Sequence, residues 1–226
     1  MKHSLSIDVY FDFICPWCLI GKRQLQTALA HLREARPEVE VEVEVEVTLA
    51  WHGVQLLPDL PATGQPFADF YRRRLGSDEA VRQRQGQVQE AARAVGELID
   101  FSRIARMPNT ADAHRLLLHA VELGSEQQVE ALLERLFAAY FREGEDLGDR
   151  DTLLSIAEQC GFTPAALAGS LSADGRPFIS ASADIASRGV PCFVFDDHLR
   201  VFGAQPAEQL LDAMHLALSR SAGVQA

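Results

Sequence analysis

Leu5 to Phe11 mixes apolar and β-prone residues (Ile7, Val9, Tyr10, Phe11) and predicts a strand. After Cys15-Pro16-Trp17-Cys18, the apolar positions Leu25, Leu29 and Leu32 recur at helical spacing and predict a helix over Leu19–Arg36. Glu38 to Val47 is a run of Glu-Val repeats, a strict period of two that predicts a strand with valine on one face and glutamate on the other. A strand buried on both faces could not hold those glutamates, so an edge position is expected, where charge also discourages aggregation. The alternative, a functional acidic patch, is the rarer behaviour of such a charge run.

Leu57 to Pro66 carries Pro58, Pro61, Gly64 and Pro66 and reads as a loop. From Pro66 to about Gly169 no strand is expected. Helical periodicity runs over Pro66–Leu75, Asp78–Ile99, Thr110–Leu123, Glu126–Glu143, Arg150–Cys160 and Pro164–Leu171. Asn109-Thr110-Ala111-Asp112 supplies a cap, and Gly124, Gly144 and Gly161 fall at helix ends. Strand character returns at Val190–Phe195, then a turn at Asp196-Asp197-His198, then a strand at Leu199–Phe202. An amphipathic helix closes the chain over Pro206–Leu218. The order β-α-β, helical block, β-β-α predicts an α/β protein with a thioredoxin-like frame and an inserted all-helical domain. Residues 1–62 and 178–226 would form the frame and 63–177 the insertion.

The chain has 226 residues, 47% of them hydrophobic and 23% charged, which excludes wholesale disorder. Its formal charge of −11 argues against nucleic acid and anionic membranes as partners, because both want positive fields. No apolar run is long enough to span a bilayer. No apolar stretch precedes Asp8, so no signal peptide is expected and the protein is expected in the cytoplasm.

That compartment is reducing, and disulfides there are usually transient and catalytic. Of the cysteines Cys15, Cys18, Cys160 and Cys192, the first two form a C-x-x-C. Zinc wants about four ligands, and Cys160 and Cys192 have no compact companion, so no metal is expected. A strand-to-helix junction suits thiol–disulfide exchange, because the N–H groups and dipole of the helix start stabilise a thiolate. Pro16 fits the first helical turn, where a missing N–H costs nothing. Cys15 is then the nucleophile and Cys18 the resolving thiol, with Pro16 and Trp17 shaping the turn and tuning the redox poise. Pro191 opens what reads as an internal strand, where it removes a ladder donor. In a cis peptide it would turn the preceding backbone outward, so that Val190 pairs with an extended substrate beside Cys15. A trans proline at a strand start is the alternative.

Asp12-Phe13-Ile14-Cys15-Pro16-Trp17-Cys18 with Gly21-Lys22-Arg23 resembles the DsbA-like thioredoxin-fold oxidoreductases, in their FrnE-like branch. So do Asn109-Thr110-x-x-Ala113-His114-Arg115 and Leu136-Phe137-x-Ala139-Tyr140-Phe141 with Gly144-x-x-Leu147-Gly148-Asp149. Gly189-Val190-Pro191-x-Phe193-Val194-Phe195, through Gly203-Ala204-Gln205-Pro206, completes the match over nearly the whole chain. The resemblance implies thiol:disulfide oxidoreductase activity, a cis bond at Pro191, Cys15 as nucleophile and Cys18 as resolving thiol. In the same superfamily, 2-hydroxychromene-2-carboxylate isomerases and kappa-class glutathione transferases typically carry serine at the nucleophile position; Cys15 departs from that. Some relatives carry a second C-x4-C pair, which this chain lacks.

Lesser candidates are Asp12, three residues before Cys15, as an aid to proton transfer, and His114, as a residue lining the cleft between the two parts. The ordinary alternatives are a solvent-facing strand-end acid and a helix-packing histidine. Cys192 beside Pro191 is a candidate third redox thiol, although a lone cysteine in an apolar strand is more often a small core hydrophobe. Trp51 and His52 are candidates for the same cleft, with core packing the commoner fate of a tryptophan. The expected partners are protein or small-molecule disulfides and thiols. No cofactor is expected to be bound, with glutathione as reductant or co-substrate. Competing classes are a glutathione-dependent isomerase or transferase, and a non-enzymatic thiol-binding or chaperone module.

Overall fold

The structure is a computed structural model that describes residues 3–34, 45–179 and 188–223. The chain divides into two units: Met1–Phe11, Trp17–His52 and Ser182–Ala226 form one, and Asp12–Pro16 with Gly53–Ala181 the other.

The first unit is built on β1 (His3–Phe11), α1 (Pro16–Glu34), β2 (Val45–Gly53), β5 (Cys192–Phe195), β6 (Leu199–Phe202) and α8 (Ala207–Gly223). The sheet order is β2-β1-β5-β6. β1 and β5 run antiparallel with Val9 opposite Phe193, and β5 and β6 antiparallel with Phe193 opposite Val201. Period-two alternation sends Leu5, Ile7, Val9, Phe193 and Phe195 into one core with Leu25 and Leu29 of α1 and Leu210 and Met214 of α8. The opposite face carries Cys192 and Val194, against Tyr10 and Phe202.

β2 lies at one edge of the sheet, but it shares only Val45–Val47 with the strand expected over Glu38–Val47 and runs on to Gly53, so that Trp51 and His52 lie within it. Val45 and Val47 pack toward the core while Glu46 is exposed. Residues 38–44 of the repeat lie outside the described residues. In the β5–β6 turn, Asp196 and Asp197 adopt φ of 47° and 61°, the left-handed pair that a tight hairpin turn requires. The Asp196 carboxylate supports this conformation by accepting from the amide of Ser6 at 2.9 Å.

The second unit holds β3 (Gln65–Pro66), α2 (Phe67–Leu75), α3 (Asp78–Ala94), β4 (Arg106–Met107), α4 (Ala111–Leu123), α5 (Glu126–Ala138), α6 (Arg150–Gln159) and α7 (Pro164–Leu167). Its interior is aromatic: Phe13 lies 5.4 Å from Phe137, which stacks on Phe141 at 6.4 Å.

Three expectations for this region need correction. The stretch after Pro66 is not free of strand, because Arg106–Met107 pairs with Gln65–Pro66 in a two-residue ladder too short to leave a period in the sequence. The helix from Asp78 stops at Ala94 instead of Ile99, where the amides of Gly96 and Glu97 turn back onto the carbonyls of Arg93 and Ala92. The run Glu126–Glu143 is α-helical only to Ala138 and ends in a π-helical turn over Ala139–Glu143, which widens the backbone where Tyr140 and Phe141 are buried.

Candidate functional site

β1 ends at Phe11, and the chain turns over residues 12–15 before α1 begins at Pro16. The turn is closed by the Cys15 amide, which donates to the Asp12 carbonyl at 3.1 Å. Pro16 takes the first helical position, and Cys18 sits in the first turn of the helix. Both cysteines are buried, Cys15 with 7% and Cys18 with 2% of the residue exposed. Trp17 is half-buried.

Asp12 is fully buried rather than solvent-facing. Its Oδ2 accepts from the Leu56 amide at 2.7 Å, and its Oδ1 from the Ile14 amide at 3.4 Å. His114 Nε2 lies 3.2 Å from the same Oδ1. His114 is itself buried in α4, its ring between Phe13 at 5.0 Å and Phe178 at 5.2 Å.

Tyr71 of α2 is a residue that the sequence reading missed. Burial pushes its phenol above the ordinary value, the charge of Cys15 pushes it further, and Arg74 and Arg84 pull it back. Its ring packs on Phe67 at 4.8 Å and Phe70 at 5.1 Å. The cluster of aromatics at 67, 70 and 71 in the first inserted helix was the available signal, but nothing in it points to a cysteine so distant in sequence.

In the first unit the Val190–Pro191 peptide is cis. The Pro191 carbonyl accepts from the Gly203 amide at 2.8 Å. Cys192 follows, fully buried, and burial pushes its thiol up to about 11 despite the opposing pull of Arg200. A thiol so reluctant to ionise is a poor nucleophile near neutral pH. Cys160 is also raised by burial, with Arg135 opposing. Trp51 is partly buried, packs against the sheet core and meets Phe11 edge-on at 5.6 Å, with Lys22 Nζ 5.7 Å from its ring centroid. His52 Nε2 lies 2.6 Å from Asp8 Oδ1 on a ring stacked against Tyr10. Among the described residues no group of His, Cys, Asp and Glu side chains is placed to share a metal ion. No described helix is long and apolar enough to cross a membrane.

A C-x-x-C at a strand-to-helix junction, in a chain that holds a four-stranded sheet and a helical insertion, is the arrangement of a thioredoxin-fold protein of the DsbA type. Residues 6–215 match the family described as DSBA-like thioredoxin domain, and the chain belongs to that family. It is 27% identical to the uncharacterized protein YwbO of Bacillus subtilis (strain 168) over 168 residues, which is 74% of this chain and 72% of that protein. The crystal structure of a probable DsbA oxidoreductase from Streptomyces coelicolor superimposes with a TM-score of 0.74 at 29% identity, covering 94% of this chain and 89% of that one. The cytosolic disulfide reductase DsbM from Pseudomonas aeruginosa, solved with GSH, shares the fold at a TM-score of 0.56 and 18% identity, over 98% of this chain and 100% of that one.

Proposed function

We propose that the protein is a thiol:disulfide oxidoreductase that works in the reductase or isomerase direction through Cys15 and Cys18. The placement of Cys15 immediately before the first helical residue of α1, with Cys18 in the first turn, carries this reading. The thiolate of Cys15 attacks one sulfur of a substrate disulfide. A Cys15–substrate disulfide forms, and the other substrate sulfur leaves as a thiolate. Cys18 then loses its proton and attacks the Cys15 sulfur, releasing the second substrate thiol. The Cys15–Cys18 disulfide that remains holds the oxidising equivalents of the original bond. Two equivalents of a small thiol restore the dithiol and leave as their own disulfide.

Glutathione, the small thiol present in the DsbM structure, is the reductant or co-substrate we propose. A cytoplasmic location fits this direction, because the glutathione pool there is reducing. Pro16 and Trp17 shape the turn, and Val190 and Pro191 supply the backbone that pairs with an extended substrate. Cys192 belongs to the sheet core rather than to the redox cycle. The partners are protein or small-molecule disulfides.

The test is a redox titration against glutathione, with thiols trapped and mapped by mass spectrometry. Cys15 and Cys18 should interconvert as one two-electron couple, and Cys15→Ser should abolish reduction of a model disulfide. Formation of a Cys15–glutathione adduct alone would overturn the dithiol cycle in favour of isomerase or transferase chemistry. Unchanged turnover in Cys15→Ser would overturn both.

A further inference from the structure

We propose that His114 is a positioning residue for the Cys15 nucleophile and acts through Asp12, so that the helical insertion sets the reactivity of the active-site turn. The inference deepens the proposed function and rests on Cys15 being the attacking thiol.

The turn that carries Cys15 belongs by its contacts to the helical unit, since Asp12–Pro16 cluster with Gly53–Ala181. Asp12 is the residue that makes the connection. Its carbonyl closes the turn on the Cys15 amide at 3.1 Å. Its carboxylate bonds forward to the Ile14 amide, across to the Leu56 amide, and to His114 on α4. A buried carboxylate is tolerated only when donors satisfy it, and here one donor is a side chain rather than backbone. The two backbone donors come from the turn itself and from the segment after β2. His114 therefore supplies the tie from this carboxylate to a helix of the insertion.

The His114 ring is fixed on several sides. Phe13 and Phe178 lie across its faces at interplanar angles of 32° and 25°. Its main-chain amide is held in the helix by the Thr110 carbonyl at 3.0 Å. Gly53 closes the Nδ1 edge so tightly that an added Cβ would lie 2.8 Å from His114 Cγ and 3.1 Å from Phe178 Cε1. A ring so confined cannot turn its Nε2 away from Asp12 without moving its neighbours. The outcome of this confinement is an Nε2 held toward Asp12, the residue that shapes the nucleophile's turn.

The experiment compares His114→Phe, which keeps a flat ring and removes Nε2, with His114→Gln, whose amide nitrogen restores a donor near the Nε2 position. The readouts are the iodoacetamide alkylation rate of Cys15 at fixed pH, and kcat and KM for a model disulfide. His114→Phe should slow alkylation and kcat by about 10-fold or more, the order expected when a reacting group is misplaced by a fraction of an ångström, with KM little changed. His114→Gln should recover most of that loss.

Wild-type rates in His114→Phe would overturn the proposal. So would equal losses in Phe and Gln variants that track their loss of thermal stability, because packing alone would then explain both. If His114→Phe does not fold, Asp12→Asn reads the same link from the other side and should slow Cys15 alkylation similarly, while unchanged alkylation there overturns the proposal. A wild type in which Cys15 is inert would defeat the oxidoreductase reading itself, an outcome distinct from active His114 variants.

Discussion

Gly21 of α1 lies directly against Pro191. A Cβ at position 21 would come within 3.0 Å of Pro191 Cγ and 3.1 Å of Phe193 Cζ. The helix that carries Cys18 thus approaches the cis-proline segment through a position where a side chain does not fit. Alanine there gains about 1 kcal/mol of helix propensity. The overlap costs about 1–3 kcal/mol, because neither neighbour yields easily: Pro191 is a rigid ring, and Phe193 is fully buried in β5 between β1 and β6. Gly21→Ala should therefore lower stability by about 1 kcal/mol, or a few degrees in Tm, and Gly21→Val by more. A thermal melt checks this. In a double-mutant cycle, Phe193→Leu should relieve part of the Gly21→Ala penalty, and strict additivity would show that the close approach is not the cause.

The helical unit is held by a buried amide. Asn109 Nδ2 donates to the Leu60 carbonyl at 2.6 Å and to the Gly175 carbonyl at 3.3 Å. Its Oδ1 accepts from Gln55 Nε2 at 2.8 Å and from the Ala111 amide at 3.0 Å. Asn109→Ala strands these groups and should cost about 2–3 kcal/mol in urea denaturation. Asn109→Asp is closer in size, yet it should cost more at pH 7, because a carboxylate oxygen then faces two carbonyls. Burial and those carbonyls raise the introduced carboxyl's pKa in the folded state, so the stabilising protonated form is lost as pH rises, and the deficit should shrink toward pH 4. If Asn109→Asp proves no worse than Asn109→Ala at pH 7, the donor side of this amide carries little.

Much of this architecture was legible because its signals are local. The end of the Glu-Val alternation, Val45–Val47, enters the edge strand β2, and Pro16 after Cys15 marks the start of α1. The cap before α4 was also readable, although the side chain that bonds a helical amide is Asn109 and not Thr110. The carboxylate of Asp12 was not, because its burial depends on Leu56 and His114, 44 and 102 residues away. An acid at a strand end looks solvent-facing until the segment that covers it is known. Tyr71 was missed for the same reason. The π-helical turn at Ala139–Glu143 keeps helical periodicity to within one residue, so no pattern announces it.

Cys192 provides a test of how alkali acts on the sheet core. Burial holds its thiol at about 11 in the folded protein, against about 9 in the open chain. Below pH 9 both states keep the proton and stability is unaffected. Between pH 9 and 11 the unfolded chain releases it while the folded chain does not, so stability falls as pH rises, by on the order of 2 kcal/mol over the window. Cys192→Ala should lose about 1–2 kcal/mol at neutral pH through a small cavity. Its stability should then decline less steeply than that of the wild type from pH 9 to 11. The comparison must be a difference, because Tyr71, Tyr140 and Cys160 are raised by burial as well and contribute to both curves. Urea denaturation at a series of pH values measures it. The same variant should reduce a model disulfide at the wild-type rate. Parallel pH curves would refute the burial argument, and a loss of turnover in a stably folded Cys192→Ala would bring the third thiol into the redox cycle.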